Sequence, residues 1–347
     1  MEAVLLVARR PADATLESRR CGLAPIANSS SLTYFSNLLE TRFMALDPAI
    51  EVLDDRFHRL VIHNAHIDHL WTGARWAEGP VYVPASRYLL FSDIPNDRTL
   101  RFDEASGQVH TFEEPALNQN GHCLDNQGRV VSCEHLGRAV SRIGHDGSRE
   151  VLADAYNNKR LNSPNDVVAH SDGGIWFTDP TYGIDSEYEG ATASSEQDGS
   201  YVYRIDPSDL SVTAVVTDMV RPNGLAFSPD ESILYVADTG ISHVGLECPP
   251  DIRAYDVAAD GVSVGGFTTF ATCDEGVFDG FRVDRSGNVW SSAGDGVHCF
   301  APDGTLLGKI HLPEVVANVE FGGPKRNRLY ICATTSLYAM YLNTQGS

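Results

Sequence analysis

From residue 76 onward, apolar and polar residues alternate in short runs broken by Gly, Asp, Asn and Pro, with few helical periods. "RYLLFSD", "RVVSCEH", "GIWFTDP", "ILYVADT", "NVWSSAG" and "RLYICAT" are variations on one theme. Each reads as a strand leaving a turn. Ahead of each lies a partner strand: "GPVYVPAS", "GHCLDNQG", "DVVAHSDGG", "GLAFSPDES", "GFRVDRSG" and "VEFGGPKRN". Behind them come third strands such as "RTLRFDE", "SYVYRID" and "SLYAMYL", and then fourth strands such as "QVHTF" and "SVTAVVT". Six copies of a unit of up to four antiparallel strands predict an all-β, six-bladed β-propeller. Each small sheet cannot bury both faces alone, and packing six around an axis removes that difficulty.

The sixth copy ends near Leu342, one strand short. A ring closes best if an earlier segment supplies that strand, and "AHIDHLWTG" (65–73) is the expected donor. Residues 49–347 are thus read as the propeller, and residues 1–48 as an irregular extension, partly disordered or peripheral. A short helix is expected there at "SLTYFSNLLETRFMA". The polar insert "SEYEGATASSEQDGS" (186–200) interrupts the third copy, and a loop of that size often serves as a lid.

Bulk properties narrow the partners. Hydrophobic residues make up 42% and charged residues 21% of the 347, so a sizeable core can be buried. A net charge of −21 repels phosphate backbones and anionic lipid, which argues against nucleic-acid and membrane partners. No apolar run approaches the roughly 20 residues of a membrane span. Seven scattered cysteines without a CxxC pair suggest reduced thiols rather than a disulfide framework or a zinc site. In "MEAVLLVARRP" an acid precedes the apolar stretch and the basic pair follows it, the wrong order for a secretory signal. A cytoplasmic monomer or homodimer is expected.

The chemistry stands one step ahead of each first strand, at Glu78, Asn120, Asn165, Asn223, Asp279 and Asn318. First strands line a propeller's channel, so six polar side chains should converge at one mouth. Asn and Asp before Gly are ordinary turn residues, but Glu is not, and the six positions are in phase. All six offer oxygen and two are carboxylates, a set suited to Ca²⁺ or another hard divalent cation. There is no GxSxG elbow. The three histidines of "HNAHIDH" (63–69) read as part of a blade-edge strand rather than a helical zinc pair.

The segments "RWAEGPVY", "NQNGHCLDNQGRVVSCEH", "RLNSPNDVVAHSDGGIWFTDPTYG", "RPNGLAFSPDESILYVADTG" and "DGFRVDRSGNVW" resemble the gluconolactonase and regucalcin (senescence marker protein) family, more closely its bacterial gluconolactonase-type branch. The resemblance covers roughly residues 50–342. It implies a six-bladed propeller with one divalent cation in the channel, Ca²⁺ above Zn²⁺, Mn²⁺ or Mg²⁺, and hydrolysis of a sugar lactone. Carried over residue by residue, Glu78 of "EGP", Asn223 of "PNG" and Asp279 of "DG" would be direct ligands. Asn165 of "PND" would ligate or hold a bound water or substrate oxygen. Ser163 replaces an arginine of the animal branch, and Gly280 replaces an asparagine of the related paraoxonases. His122 stands where a small polar residue is expected.

On this reading Asp279 is the general base and Glu78 mainly a ligand, with the reverse assignment open. Asn120, Asn165, Asp166 and Tyr182 are candidates for sugar hydroxyls. On a strict strand Asp166 would point away from its neighbour Asn165. His135, in "SCEH", is a candidate base or substrate-binding group, although a histidine at the end of a blade's second strand is more often structural. Two other functions stay open: a non-enzymatic binding module with a structural channel ion, and hydrolysis of a different ester or an organophosphate.

Overall fold

The computed structural model describes residues 46–347. The helix expected at 31–45 lies outside the described residues. Six antiparallel sheets follow one another around an axis. The first blade comprises Ala77–Val83, Tyr88–Asp93, Arg98–Asp103 and Gln108–Glu113. The second comprises Gln119–Leu124, Val130–Glu134, Ala139–Ile143 and Arg149–Ala153. The third is built from Val167–Ala169, Ile175–Asp179, Tyr201–Ile205 and Val212–Val216. Pro222–Phe227, Ile233–Asp238, Asp251–Val257 and Val264–Thr272 form the fourth. Phe281–Val283, Val289–Ala293, Gly296–Phe300 and Leu306–His311 form the fifth. The sixth holds Val316–Gly322, Arg328–Ala333 and Ser336–Tyr341, and its outer strand is Asp68–Thr72.

Asp68–Thr72 pairs antiparallel with Ser336–Tyr341 and closes the ring, as the missing strand of the sixth copy implied. The strand takes only the end of "HNAHIDH"; its earlier residues lie outside the ladder, where His66 instead meets Asp47 at 3.2 Å. The fifth blade gains an outer strand, Ile50–Val52, paired with Leu306–His311. Three residues are too few to show an alternation, so no local pattern signalled it. Among the described residues no helix is long and apolar enough to cross a membrane. The six described cysteines are unpaired thiols, five of them buried, and pack as small hydrophobes.

The core is divided among the seams between neighbouring blades. Trp290 of the fifth blade packs against Phe57 and against Phe321 of the sixth, with ring centroids 5.9 and 6.1 Å apart. Trp176 of the third blade meets Phe227 of the fourth edge-on at 5.4 Å. The seam between the first and second blades is apolar only at Val81, Val83, Leu90 and Val130, with Tyr88 and Leu124 beside them. Polar bonds complete it: Thr99 Oγ1 donates to Gln119 Oε1 at 2.6 Å, Ser92 Oγ to Asn120 O at 2.9 Å, and Asn118 Nδ2 to Ile94 O at 2.7 Å.

Each first strand is irregular where it begins. One extra residue interrupts the ladder between Glu78 and Val81, Gln119 and His122, Pro222 and Leu225, and Val316 and Asn318. In the third and fifth blades pairing starts only at Val167 and Phe281. Bulges re-aim side chains, and here they release the leading residue of each blade from strict in–out alternation.

Trp290 is fully buried and its indole N–H donates to Asp284 Oδ2 at 3.1 Å. Trp290→Ala is expected to cost about 3–5 kcal/mol by leaving a large cavity in one seam. Denaturant unfolding, followed by circular dichroism, measures this as a lowered midpoint.

Candidate active site

A cavity of about 160 Å³ opens at the axis, lined by Glu78, Asn120, Asn165, Asn223 and Asp279 together with Tyr182. Trp76, Ile94, Glu189, Thr239, Ser242 and Val277 complete the wall. Five of the six leading residues therefore share one cavity. The sixth, Asn318, is buried beside it, and its amide favours the ionised Glu78 carboxyl.

The glycine that follows a leading residue is there because of its neighbour. Gly79 has φ +56°, and a methyl group on it would lie 1.8 Å from the carbonyl oxygen of Asn120. On Gly224 it would lie 2.1 Å from Asp279 O. At these glycines the backbone of the following blade passes over the α-carbon, closer than any side chain permits. These glycines are sites of close approach rather than hairpin turns.

A repeated aspartate braces the chain just upstream. Asp93 accepts from Arg75 N at 2.9 Å, Asp179 from Asn162 N and Ser163 N at 2.8 Å each, and Asp238 from Arg221 N at 2.9 Å. Each ends the second strand of its blade and fixes the approach to Glu78, Asn165 or Asn223. Arg221 is itself buried; its guanidinium stacks on Tyr182 at 4.3 Å, donates to Thr181 Oγ1 at 2.7 Å and pairs with Asp185. That clamp ties the cavity's Tyr182 to the strand that carries Asn223.

His135 does not line the cavity; it stands behind Asn120. Its Nδ1 faces the Glu189 carbonyl at 3.2 Å and its Nε2 faces Asn120 Nδ2 at 3.2 Å. Burial pushes the imidazole down to about 4, so it is neutral at physiological pH. A carbonyl only accepts, so the proton belongs on Nδ1, and Nε2 takes a hydrogen bond from the Asn120 amide. Asn120 therefore turns its Oδ1 away from His135. His122 is buried between the first two blades, its Nδ1 2.7 Å from Gly79 O. The Asp166 side chain also points away from the cavity: Oδ1 accepts from Val167 N at 2.9 Å, and Oδ2 lies 3.7 Å from Arg282 Nη1.

Crowded carboxylates dominate the electrostatics. Burial raises the Glu78 carboxyl well above its ordinary value, and the charges of Asp279 and Asp166 raise it further. The Gly79 N–H and the Asn318 amide offset this in part. Asp279 is pushed up to about 8 by burial and by the charges of Asp166 and Glu189, with the Asn223 amide opposing. Glu189 rises to about 7 through burial, against the pull of Arg221.

These residues fit a hard cation. Asn223 Oδ1 is a buried oxygen with no hydrogen-bond partner. It shares the cavity with Glu78 and Asp279, whose carboxyls resist ionising, and no thiol or imidazole lines the wall. Among the described residues no three His, Cys, Asp or Glu groups form a metal cluster by themselves, so amide oxygens would have to take part here.

The sequence had singled out Tyr182 and the leading residues. It missed Trp76, Ile94, Thr239, Ser242, Val277 and Glu189. Thr239 and Ser242 carry a faint signal: "VADTGIS" follows a second strand as "FTDPTYG" does.

Asp279 keeps its proton up to about pH 8 when folded, against an ordinary carboxylate value of 3.8. The stability this contributes is complete below the ordinary value and is lost as pH rises through about 8. In chelator-treated protein, the stability margin of Asp279→Asn over wild type should therefore widen from about pH 4 to pH 8 and then level off. An excess of divalent cation should stabilise wild type more than the variant, which keeps Glu78 and Asn223 but lacks one carboxylate; thermal unfolding across a pH series checks this.

The family model described as SMP-30/Gluconolactonase/LRE-like region matches residues 76–335. A gluconolactonase of Zymomonas mobilis is 30% identical over 304 residues, 81% of this chain and 82% of that protein. A pentonolactonase of Haloferax volcanii is 30% identical over 266 residues, 75% of this chain and 82% of that protein. The solved structure of a gluconolactonase from Xanthomonas campestris superposes with a TM-score of 0.78 at 36% identity, covering 84% of this chain and 94% of that one. With its six-bladed ring and its cavity of converging oxygen donors, this chain belongs to the SMP-30/gluconolactonase/LRE-like family.

Proposed function

We propose that the protein is a lactonase that hydrolyses the cyclic ester of a sugar acid in the axial cavity, with a hard divalent cation, Ca²⁺ by its donor chemistry, held there by Glu78, Asn223 and Asp279, and with Asn165 beside them. The observation that carries this reading is the partnerless Asn223 Oδ1, buried in a cavity it shares with the two carboxylates. The names of the gluconolactonase and pentonolactonase relatives support the substrate class.

When bound, the cation supplies Lewis acidity toward the lactone carbonyl and offsets the negative charge that develops on its oxygen. Asp279 removes a proton from the attacking water. Its ordinary aversion to ionising is relieved once its charge is balanced, so it is a carboxylate at neutral pH yet basic enough to act. Water adds to the carbonyl carbon, the bond to the ring oxygen breaks, and that oxygen leaves with the proton Asp279 had taken. The product is the open hydroxy acid. Glu78 serves mainly as a ligand, held in place by the Gly79 N–H and the Asn318 amide. Tyr182, Thr239 and Ser242 bring hydroxyls to the same wall, suited to the hydroxyls of a sugar ring. Asn120 and Asn165 add amides.

A pH-stat assay against glucono-, galactono-, xylono- and arabinonolactones, each with Ca²⁺, Mg²⁺, Mn²⁺ or Zn²⁺, tests the proposal. Asp279→Asn should lower kcat by about 10²–10⁴-fold. Glu78→Gln should weaken cation binding with the fold intact. Full activity in Asp279→Asn, or no turnover of any lactone with any cation, would remove the reading.

A further inference from the structure

Glu189 is the one carboxylate in the cavity wall that does not come from a blade's leading position. It arrives from the polar insert at 186–200, and the insert is firmly seated. Ala191 N donates to Gly183 O and Ala193 N to Ile184 O, both at 3.0 Å, and Thr192 N donates to Glu187 Oε1 at 2.9 Å. A methyl group on Gly190 would lie 2.1 Å from Gly183 O, so the residue after Glu189 sits hard against the short helix Tyr182–Asp185. The Glu189 carbonyl accepts from His135, the imidazole that also sets the Asn120 amide. The backbone at Glu189 is thus fixed.

Its side chain, in contrast, has unmet capacity. The side chain is 25% exposed, and Oε2 lies 4.0 Å from His135 Nδ1, beyond hydrogen-bond reach. Among the described residues none donates a hydrogen bond to this carboxylate. Arg221 is engaged instead by Asp185, Thr181 and the face of Tyr182. A mostly buried acceptor without a donor is costly unless whatever enters the cavity supplies one.

We infer that Glu189 is a specificity-determining residue that accepts a hydrogen bond from one hydroxyl of the bound lactone. The inference rests on the lactonase reading and adds to it the group that selects polyhydroxylated rings. A site built to bond a hydroxyl discriminates strongly against the analogue that lacks it, because its own polar group is then left unpaired.

The test measures kcat/KM for one good lactone substrate and its mono-deoxy analogues, with wild type, Glu189→Gln and Glu189→Ala, alongside calorimetric Ca²⁺ binding. Wild type should penalise one analogue by about 10–100-fold, as expected for a bond to a charged acceptor. In Glu189→Ala that penalty should vanish while those of the other analogues persist, and Glu189→Gln should fall between. Ca²⁺ should still bind both variants, weakened only by the loss of one nearby charge. A uniform fall across the series would make Glu189 structural, an unchanged pattern would make it a bystander, and lost Ca²⁺ binding would make it a ligand; each overturns the inference and leaves the lactonase reading standing. A wild type inert to every lactone removes both.

Discussion

Three carboxylates, those of Glu78, Asp279 and Asp166, occupy one narrow channel; Asp279 and Asp166 both raise the proton affinity of Glu78, and Asp166 raises that of Asp279. Like charges held this close cannot all ionise without a counter-charge. Deeper in the channel the protein supplies its own. Arg282 donates to Glu320 at 2.8 Å and lies 3.7 Å from Asp166. At the cavity end, no basic side chain lines the wall beside Glu78 and Asp279. The channel is thus neutralised at depth by a built-in guanidinium, while the cavity end keeps a deficit that a mobile cation can fill. Binding of a cation there would be coupled to folding through the ionisation of the same two groups.

That arrangement depends on how the blades meet. The seam between the first and second blades is short of apolar contacts and is held largely by hydroxyl, amide and imidazole bonds. It is also the seam that sets Glu78 beside Asn120. A purely hydrophobic seam tolerates sliding by a fraction of an ångström, whereas directional bonds fix a relative position. The polar character of this joint therefore suits its place next to the site better than a larger core would.

Much of this was legible in the primary structure. Blades announce themselves by alternation, which is local, and the leading residues by their common phase ahead of each first strand. The closing strand was legible because the sixth copy lacked one. What stayed hidden was set by tertiary contact. Asn223 before Gly224 had the look of an ordinary turn pair, yet the glycine is there to let the next blade pass over it. Glu189, Trp76 and Val277 reach the cavity from loops, whose course no periodicity records. Sequence alone leaves His135 between a chemical and a structural role, and the imidazole's two opposed partners show that it orients an amide.

Closure by Asp68–Thr72 also has a bearing on how the molecule is made. The two strands that pair there, Asp68–Thr72 and Ser336–Tyr341, come from segments more than 250 residues apart, so this pairing forms late in vectorial synthesis. Until Tyr341 has left the ribosome, the early strand has no partner and each finished blade presents one bare flank. Nascent propeller is therefore a sticky object, and the crowd of acidic side chains on its exterior keeps neighbouring chains apart while it waits.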